Sequence, residues 1–274
     1  TIRFSYNHVR PRGSRLKTFG GTASGPEPLR EMFQGIDDVL KNRIDETLEP
    51  IEVDEKGYGK VRPIHILDIG NLIGNNVVVG GVRRTAEIFL FDPDDFESLW
   101  AKYGVNGFWK EEDFKRHEEL KRYCEEHGIE TPKWFDKLGE RFYDETVNID
   151  FVTKQPRREA DGSLSPYNPG TGFHHRAMSN NSIAFIDKPS REFLQFVFML
   201  MKSEGEPGFI NIYEAAKRRL SEMGIHDDKL IREYAEVIGL NPCAEILLWP
   251  YGVCNLTTVN VKNFVTEVDG KYHL

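Results

Sequence analysis

The chain has 274 residues, enough to bury a core of ordinary size as one large domain or two smaller ones. Its 39% hydrophobic and 29% charged residues and net charge of −8 are those of a soluble globular protein and exclude a duplex nucleic-acid binder with a basic footprint over the whole domain. With no apolar run long enough to cross a bilayer, no apolar signal core at the N-terminus and an odd, scattered set of three cysteines, neither a membrane-spanning helix nor a secreted disulfide framework is expected, and a reducing cytoplasm is the expected setting.

In chain order, residues 2–9 (IRFSYNHV) read as a strand, and 10–28 as an irregular segment rich in Gly, Pro and Ser that carries Arg10, Arg12, Arg15 and Lys17. Residues 29–48 have helical spacing and 49–63 read as a hairpin or loop; 65–81 favours a helix ending at Gly80-Gly81, although its β-branched end also suits a strand. A strand (85–91) and a helix (93–104) follow, then a strongly charged amphipathic helix (110–127) whose style continues through 131–148. That charged segment is either an insertion replacing a dimer partner or a solvated helical hairpin. After a loop-rich stretch (153–175), MSNNSIAF (178–185) leads to a helix at 190–205. A strand end runs into a helix over 208–224, another helix covers 228–238, and 241–260 supply two short strands around a turn at Pro250-Tyr251-Gly252. Strands alternating with helices imply an α/β fold. The chain opens on Thr1 and stops at YHL, so both ends read as cuts through a larger fold.

The chemistry concentrates in NPCAEILLWPYGVCNLTTVN (241–260). On an extended strand Asn241, Cys243 and Glu245 project from one face. A buried carboxylate beside an amide and a thiol is costly without partners, so such a face suits a cavity in which a polar substrate supplies them. A structural cysteine in a strand is the plainer alternative. Two thiols eleven residues apart make a poor zinc site, and no metal site is expected. No local His signature marks a cysteine hydrolase. A thiyl radical, unlike a thiolate, takes a hydrogen atom from an unactivated C–H bond; a carboxylate and an amide would then manage the neighbouring hydroxyls, and Cys254 with a second thiol could return electrons.

NPCAEILL followed by CNLTTVN resembles the active-site strand and the following strand of ribonucleotide reductases. The resemblance continues along most of the chain. HVRPRGSRLKTFGGTASGPEPL is similar to the first effector loop (9–25), and VVVGGVRRTAEI to the second, specificity-transmitting loop (79–87). MSNNSIAF and GEPGFIN resemble stretches of the adenosylcobalamin-dependent class, particularly its monomeric triphosphate-reducing branch. This resemblance implies the central part of the ten-stranded α/β barrel shared with glycyl-radical enzymes. It comprises the two effector loops, a helical insertion-like segment (105–150) and active-site strands (239–261), and lacks the N- and C-terminal parts of the family fold. It implies that Cys243 becomes the thiyl that abstracts the ribose 3′ hydrogen. Glu245 takes the 3′-hydroxyl proton, Asn241 holds substrate hydroxyls and Cys254 belongs to the redox pair. Arg10, Arg12 and Lys17 would hold effector phosphates, and Gly80, Gly81, Arg83 and Arg84 would form the specificity relay. For these basic residues a solvated charge cluster or weak surface ion pairs are the plainer alternatives. The implied cofactor is adenosylcobalamin, with a dNTP or ATP as allosteric effector. A ribonucleotide substrate, a thioredoxin-like reductant and complementing chains are the implied partners.

The pattern departs from the family in two respects: the downstream phosphate-binding loop, half-barrel and C-terminal cysteine pair have no counterpart here, and the upstream cysteine is missing. The family's first reducing cysteine precedes the HVRP loop, whereas no cysteine precedes Cys124 here, and Cys124 reads as an incidental thiol on the charged helix. The 274 residues alone are therefore expected to be catalytically silent. Ser24 and Asn181 read as backbone-organising residues, and His174-His175 as a loop pair without metal. Two alternatives remain at this point: a class I or class III reductase, whose radical source is different, and a non-catalytic nucleotide-binding regulatory fragment.

Overall fold

Strand β2 (Ser179–Phe185) lies at the centre of a parallel three-stranded sheet, between β1 (Glu87–Phe91) and β3 (Gly208–Asn211). The computed structural model describes residues 3–17, 20–79, 85–255 and 257–273. Seven helices appear among the described residues: α1 (Glu27–Val39), α2 (Pro63–Val78), α3 (Phe96–Trp100), α4 (Glu111–His127), α5 (Arg191–Glu204), α6 (Ile212–Ser221) and α7 (Asp228–Val237). Two short antiparallel hairpins, β4 (Gly239–Leu240) with β5 (Leu247–Leu248) and β6 (Thr266–Val268) with β7 (Lys271–His273), complete the chain.

Successive β2 side chains point to opposite faces, and both faces are covered, as a parallel sheet requires. Ile183 and Phe185 enter a core with Trp100 of α3, Leu120 of α4 and Phe196 and Leu200 of α5. Ala184 and Ile210 pack on the other side against Ile212, Ala216 and Leu220 of α6 and Ile231 and Ala235 of α7. Each fully buried Leu, Ile or Phe contributes roughly 1.5–3 kcal/mol. The helices begin where short polar side chains satisfy free amides. The Ser190 hydroxyl accepts the Phe193 N–H (3.0 Å), Asn211 Oδ1 that of Glu214 (2.8 Å), and Asp227 Oδ1 that of Leu230 (2.9 Å). Helices α4 and α5 both stop at a left-handed glycine, Gly128 and Gly205. Helix α2 lies against β1 at Gly70, where an added Cβ would stand 2.6 Å from Cζ of Phe89.

The α/β expectation holds, with three differences in detail. Residues 3–9 form no strand; Phe4 instead stacks on Phe33 of α1, ring centroids 4.2 Å apart, and Arg30 lies over Tyr6. The helix expected to run to 48 stops at Val39, because Asn42 turns left-handed (φ 51°) and Arg43 N–H bonds back to the Asp38 carbonyl. The helical style expected over 131–148 collapses to one tight turn at Asp136–Gly139. Beyond it, Asp144 Oδ1 takes the amide and hydroxyl of Thr146, and Asp150 Oδ1 takes the amides of Val152 and Thr153. Such local side-chain bonds compete with the helix. No helix of the described residues is long and apolar enough to cross a membrane.

The first core encloses a histidine. His117 of α4 is 1% exposed, its Nδ1 lies 3.1 Å from the Tyr103 hydroxyl, and its Nε2 has no partner. Burial pushes this imidazole down to about 4. An unfolded histidine near 6.5 therefore binds protons that the folded one refuses. The resulting stability is fully present above about pH 6.5 and is lost as pH falls towards 4, on the order of 3 kcal/mol in all. Urea melts between pH 4.5 and 7 should show this slope, and His117→Phe should flatten it; an unchanged slope in the variant would refute the assignment.

Candidate active site

The stretch from Asn241 to Ile246 is the turn of the β4–β5 hairpin and not an extended strand. Asn241 N–H bonds to the Ile246 carbonyl (3.1 Å), and Ala244 N–H to the Asn241 carbonyl (2.8 Å). The Asn241 side chain closes the turn, its Oδ1 accepting the Ile246 N–H at 2.9 Å. Ala244 sits at φ 64°, a left-handed conformation that an L residue with a Cβ adopts at some cost. The expectation that Asn241, Cys243 and Glu245 share one strand face is thereby corrected. Asn241 points inward and is 4% exposed, while Cys243 and Glu245 stand exposed at the tip. The cause is local: Pro242 has no N–H for a ladder, and the Asn241 side chain supplies the turn with the bonds that a strand would have given.

The two cysteines of the motif are linked through the same residue. The chain turns again at Trp249–Gly252, Gly252 N–H bonding to the Trp249 carbonyl (2.8 Å), as the Pro250-Tyr251-Gly252 signal predicts, but the strand expected after it does not form in the described residues 253–255 and 257–260. It returns Cys254 to the base of the hairpin, 3.8 Å from Asn241 Nδ2, which donates to the Cys254 sulfur. Cys254 is half-buried and, like Cys243, a free thiol. The hairpin therefore presents one open thiol with a carboxylate two residues on, and a sheltered second thiol behind them. The third thiol differs: Cys124 is 2% exposed in the first core, and burial raises it to about 11, outside the range of a reactive thiolate.

Several positioning residues escaped the motif reading. Asn180, the exposed second residue of β2, donates through Nδ2 to the Pro242 carbonyl at 2.8 Å, one residue from Cys243. Its neighbours are held by a pair that bridges distant parts of the chain. Lys102 donates to the Ser179 carbonyl and lies 2.6 Å from Glu206, whose other oxygen accepts the Asn181 N–H at 2.9 Å. Asn181 enters this arrangement through its backbone N–H, while its side-chain Oδ1 accepts the Ser179 hydroxyl at 3.2 Å, so the structure does not show the backbone-organising side chain expected of it. A lysine ringed by aromatic residues in LWAKYG was the available signal for Lys102.

Just before β2, the turn His174–Met178 carries a buried charge network. Arg176 is 1% exposed and grips Asp68 of α2 with two parallel bonds, Nε–Oδ1 at 2.7 Å and Nη2–Oδ2 at 2.9 Å. It also donates to the Ala101 carbonyl (3.1 Å), lies 3.5 Å from Asp45 and covers the Phe173 ring. His175 Nε2 stands 2.7 Å from Asp68 Oδ1, so this histidine joins the network. Burial alone would raise Asp68, but the bonds from Arg176 and His175 prevail and hold its carboxyl below the usual carboxylate range. Among the described residues no group of three His, Cys, Asp or Glu side chains could hold a metal ion.

Among the described residues none of the other expected site residues hydrogen-bonds to the hairpin, and some of them lie outside the description. Arg10, Arg12 and Lys17 are exposed on the 8–25 segment, which folds back on itself through the Arg15–Thr22 bridge and the Leu16 N–H to Gly21 carbonyl bond (3.0 Å). Ser24 is half-buried beside it. Gly80, Gly81, Arg83 and Arg84 lie outside the described residues.

Comparison with known proteins bears out the resemblance drawn from the motifs. The family model of the B12-dependent ribonucleotide reductase insertion domain matches residues 2–40. An adenosylcobalamin-dependent ribonucleoside-triphosphate reductase of Lacticaseibacillus paracasei is 29% identical over 253 residues, 92% of this chain and 23% of the relative. Its counterpart in Lactobacillus helveticus is 29% identical over 96% of this chain and 24% of that protein. A protein of Mycobacterium phage D29, described as a putative member of the same group, is 27% identical over 96% of this chain and 29% of its own length. The chain thus spans 23–29% of the length of these curated relatives. No solved structure matches it.

Proposed function

We propose that this chain is the central portion of an adenosylcobalamin-dependent ribonucleoside-triphosphate reductase. It would reduce ribonucleotides to 2′-deoxyribonucleotides in the cytoplasm, within the ten-stranded barrel completed by the segments that its relatives carry. The observation that carries this reading is the hairpin itself: an exposed Cys243 with an exposed Glu245 two residues on, and Cys254 bound to its base through Asn241. A thiol meant to meet both a radical source and a nucleotide has to be reachable, and Cys243 is, whereas Cys124 is sealed in the core. The open thiol therefore fits the cofactor. Adenosylcobalamin, when bound, supplies the one-electron oxidation that converts the thiol to a thiyl.

The chain's own residues account for the remaining steps. The Cys243 thiyl takes the 3′ hydrogen atom of the ribose and Glu245 accepts the 3′-hydroxyl proton, so that the 2′ hydroxyl departs as water. Two thiols then give up two electrons and two protons and close a disulfide; the 3′ hydrogen returns from Cys243. The net change is ribonucleotide plus two thiols to deoxyribonucleotide, water and disulfide. Cys254 is one of the pair. Since Cys124 is buried in the first core, the other thiol comes from outside these 274 residues, and a thioredoxin-like dithiol restores both. Asn241, with both ends of its amide engaged inside the hairpin, orients Cys254 and the tip; it can reach substrate hydroxyls only by exchanging one of these bonds. Arg10, Arg12 and Lys17 are proposed to receive effector phosphates, their Gly-rich loop suiting an anion, with the 79–87 loop as relay.

Complementation tests the reading. The chain alone, given a thiol reductant and adenosylcobalamin, is expected to turn over no ribonucleotide. Joined with the missing segments of a relative, it is expected to form deoxyribonucleotide and to show a corrinoid absorbance. Turnover by the chain alone, or by an assembly lacking the corrinoid, would defeat this proposal; the second result would favour another reductase class.

A further inference from the structure

Asn180 is the only side chain from elsewhere in the chain that hydrogen-bonds to the tip 242–245 among the described residues. All the other bonds at the tip are internal to the hairpin, between Asn241, Ala244 and Ile246. A two-residue-long ladder ending in a left-handed Ala244 has little of its own to fix where Cys243 stands. Yet the backbone on each side of Asn180 is held with unusual firmness. Lys102 takes the Ser179 carbonyl, Glu206 takes the Asn181 N–H, and the two are joined at 2.6 Å. Lys102 is 7% exposed. A lysine–carboxylate pair this sheltered loses most of its Coulomb attraction to desolvation and is poor value as a stability device. It does remove freedom from the strand start, where Asn180 also pairs with Ile88 of β1.

We propose that Asn180 is a positioning residue for the Cys243 thiol: a post fixed at its base by the Lys102–Glu206 pair, with its amide holding the Pro242 carbonyl. The assignment rests on the reductase reading only for its catalytic consequence; the tether itself is independent of any activity. Radical transfer to a sugar C–H bond demands a defined approach, and a misplacement of about 1 Å at a reacting atom costs on the order of a hundredfold. A thiol on an untethered hairpin tip would not meet that demand.

The test compares Asn180→Ala, Asn180→Asp and Asn180→Gln. The aspartate has the right shape without the donor; the glutamine keeps an amide donor on a longer arm. In the 274-residue chain, amide hydrogen exchange at Ala244 and Ile246 is expected to quicken about tenfold in the Ala and Asp variants, as for loss of one hydrogen bond. Exchange within β2 and the thermal midpoint should stay put, and Asn180→Gln should recover at least half of the protection. In the complemented enzyme, kcat should fall at least tenfold with KM within twofold for Ala and Asp, and Gln should again restore part of it. Unchanged exchange at the tip overturns the proposal. So does a loosened tip with unchanged kcat, and so does an equal effect of all three variants together with a lowered midpoint, which would mark a merely structural residue. An assembly with native Asn180 that makes no deoxyribonucleotide would refute the reductase reading instead, and the exchange comparison would still decide the tether.

Discussion

Cys243→Ser is expected to abolish deoxyribonucleotide formation in the complemented enzyme, by at least about a thousandfold, the scale on which removing a reacting atom acts. An alcohol O–H bond is too strong to yield its hydrogen where a thiol S–H does, so no radical reaches the sugar. The thiol is exposed and makes no bond among the described residues, so thermal stability should move by less than about 0.5 kcal/mol. If Arg10, Arg12 and Lys17 hold an effector as proposed, its binding should persist, because they lie on a separate segment of the chain. Cys254→Ser gives the contrast. It removes a reductant but not the abstracting atom, so hydrogen exchange at the ribose 3′ position should survive while net reduction stops. Measuring 3′-tritium release beside product formation separates the two roles. Turnover retained by Cys243→Ser would end the radical assignment and leave the nucleotide-binding alternative standing.

What could be read beforehand, and what could not, divides along the range of the forces involved. Helices α2, α4, α5, α6 and α7 and the strands β1 and β3 were legible because their signals are local: apolar periodicity, a capping Ser190 or Asp227, a terminal Gly128 or Gly205. Residues 3–9 carry the same alternation as a strand, yet a strand needs a partner, and Phe4 found the ring of Phe33 instead. The 131–148 stretch has helical composition, but Asp144 and Asp150 offered the backbone nearer partners.

At the site the residue types were legible and their arrangement was not. Period-two reasoning put Asn241, Cys243 and Glu245 on one face; the Asn241 side chain instead completes a turn that propensity alone does not announce. The same turn explains how a buried amide can serve an exposed thiol: it anchors both ends of the loop that displays it. Contacts made over long separations, such as Asn180 to Pro242 or Lys102 to Glu206, leave no periodic trace at all. They are visible only once β2 has been placed beside the hairpin. The motif therefore named the candidate reacting groups, and the fold shows what holds them.

The buried network at the start of β2 should be the most sensitive point of the fold. Arg176→Met keeps the length of the side chain and removes its charge, stranding Asp68 and Asp45, whose side chains are each 2% exposed. Breaking a buried pair from one side costs about 3–5 kcal/mol, because the remaining carboxylates lose their guanidinium without gaining water, and only His175 stays beside Asp68 and Thr47 beside Asp45. For a domain of this size that corresponds to a fall of roughly 10 °C in Tm. Arg176→Lys should rescue little, since a single ammonium cannot reproduce the two parallel bonds to Asp68 and the bond to the Ala101 carbonyl. The stranded charge can be told from lost packing by the double variant Arg176→Met with Asp68→Leu. If the uncompensated carboxylate is the cause, the second change should return more than half of the lost stability. If instead the two losses add, the role of Arg176 is to fill space over Phe173, and the electrostatic account of how β2 is held in place fails.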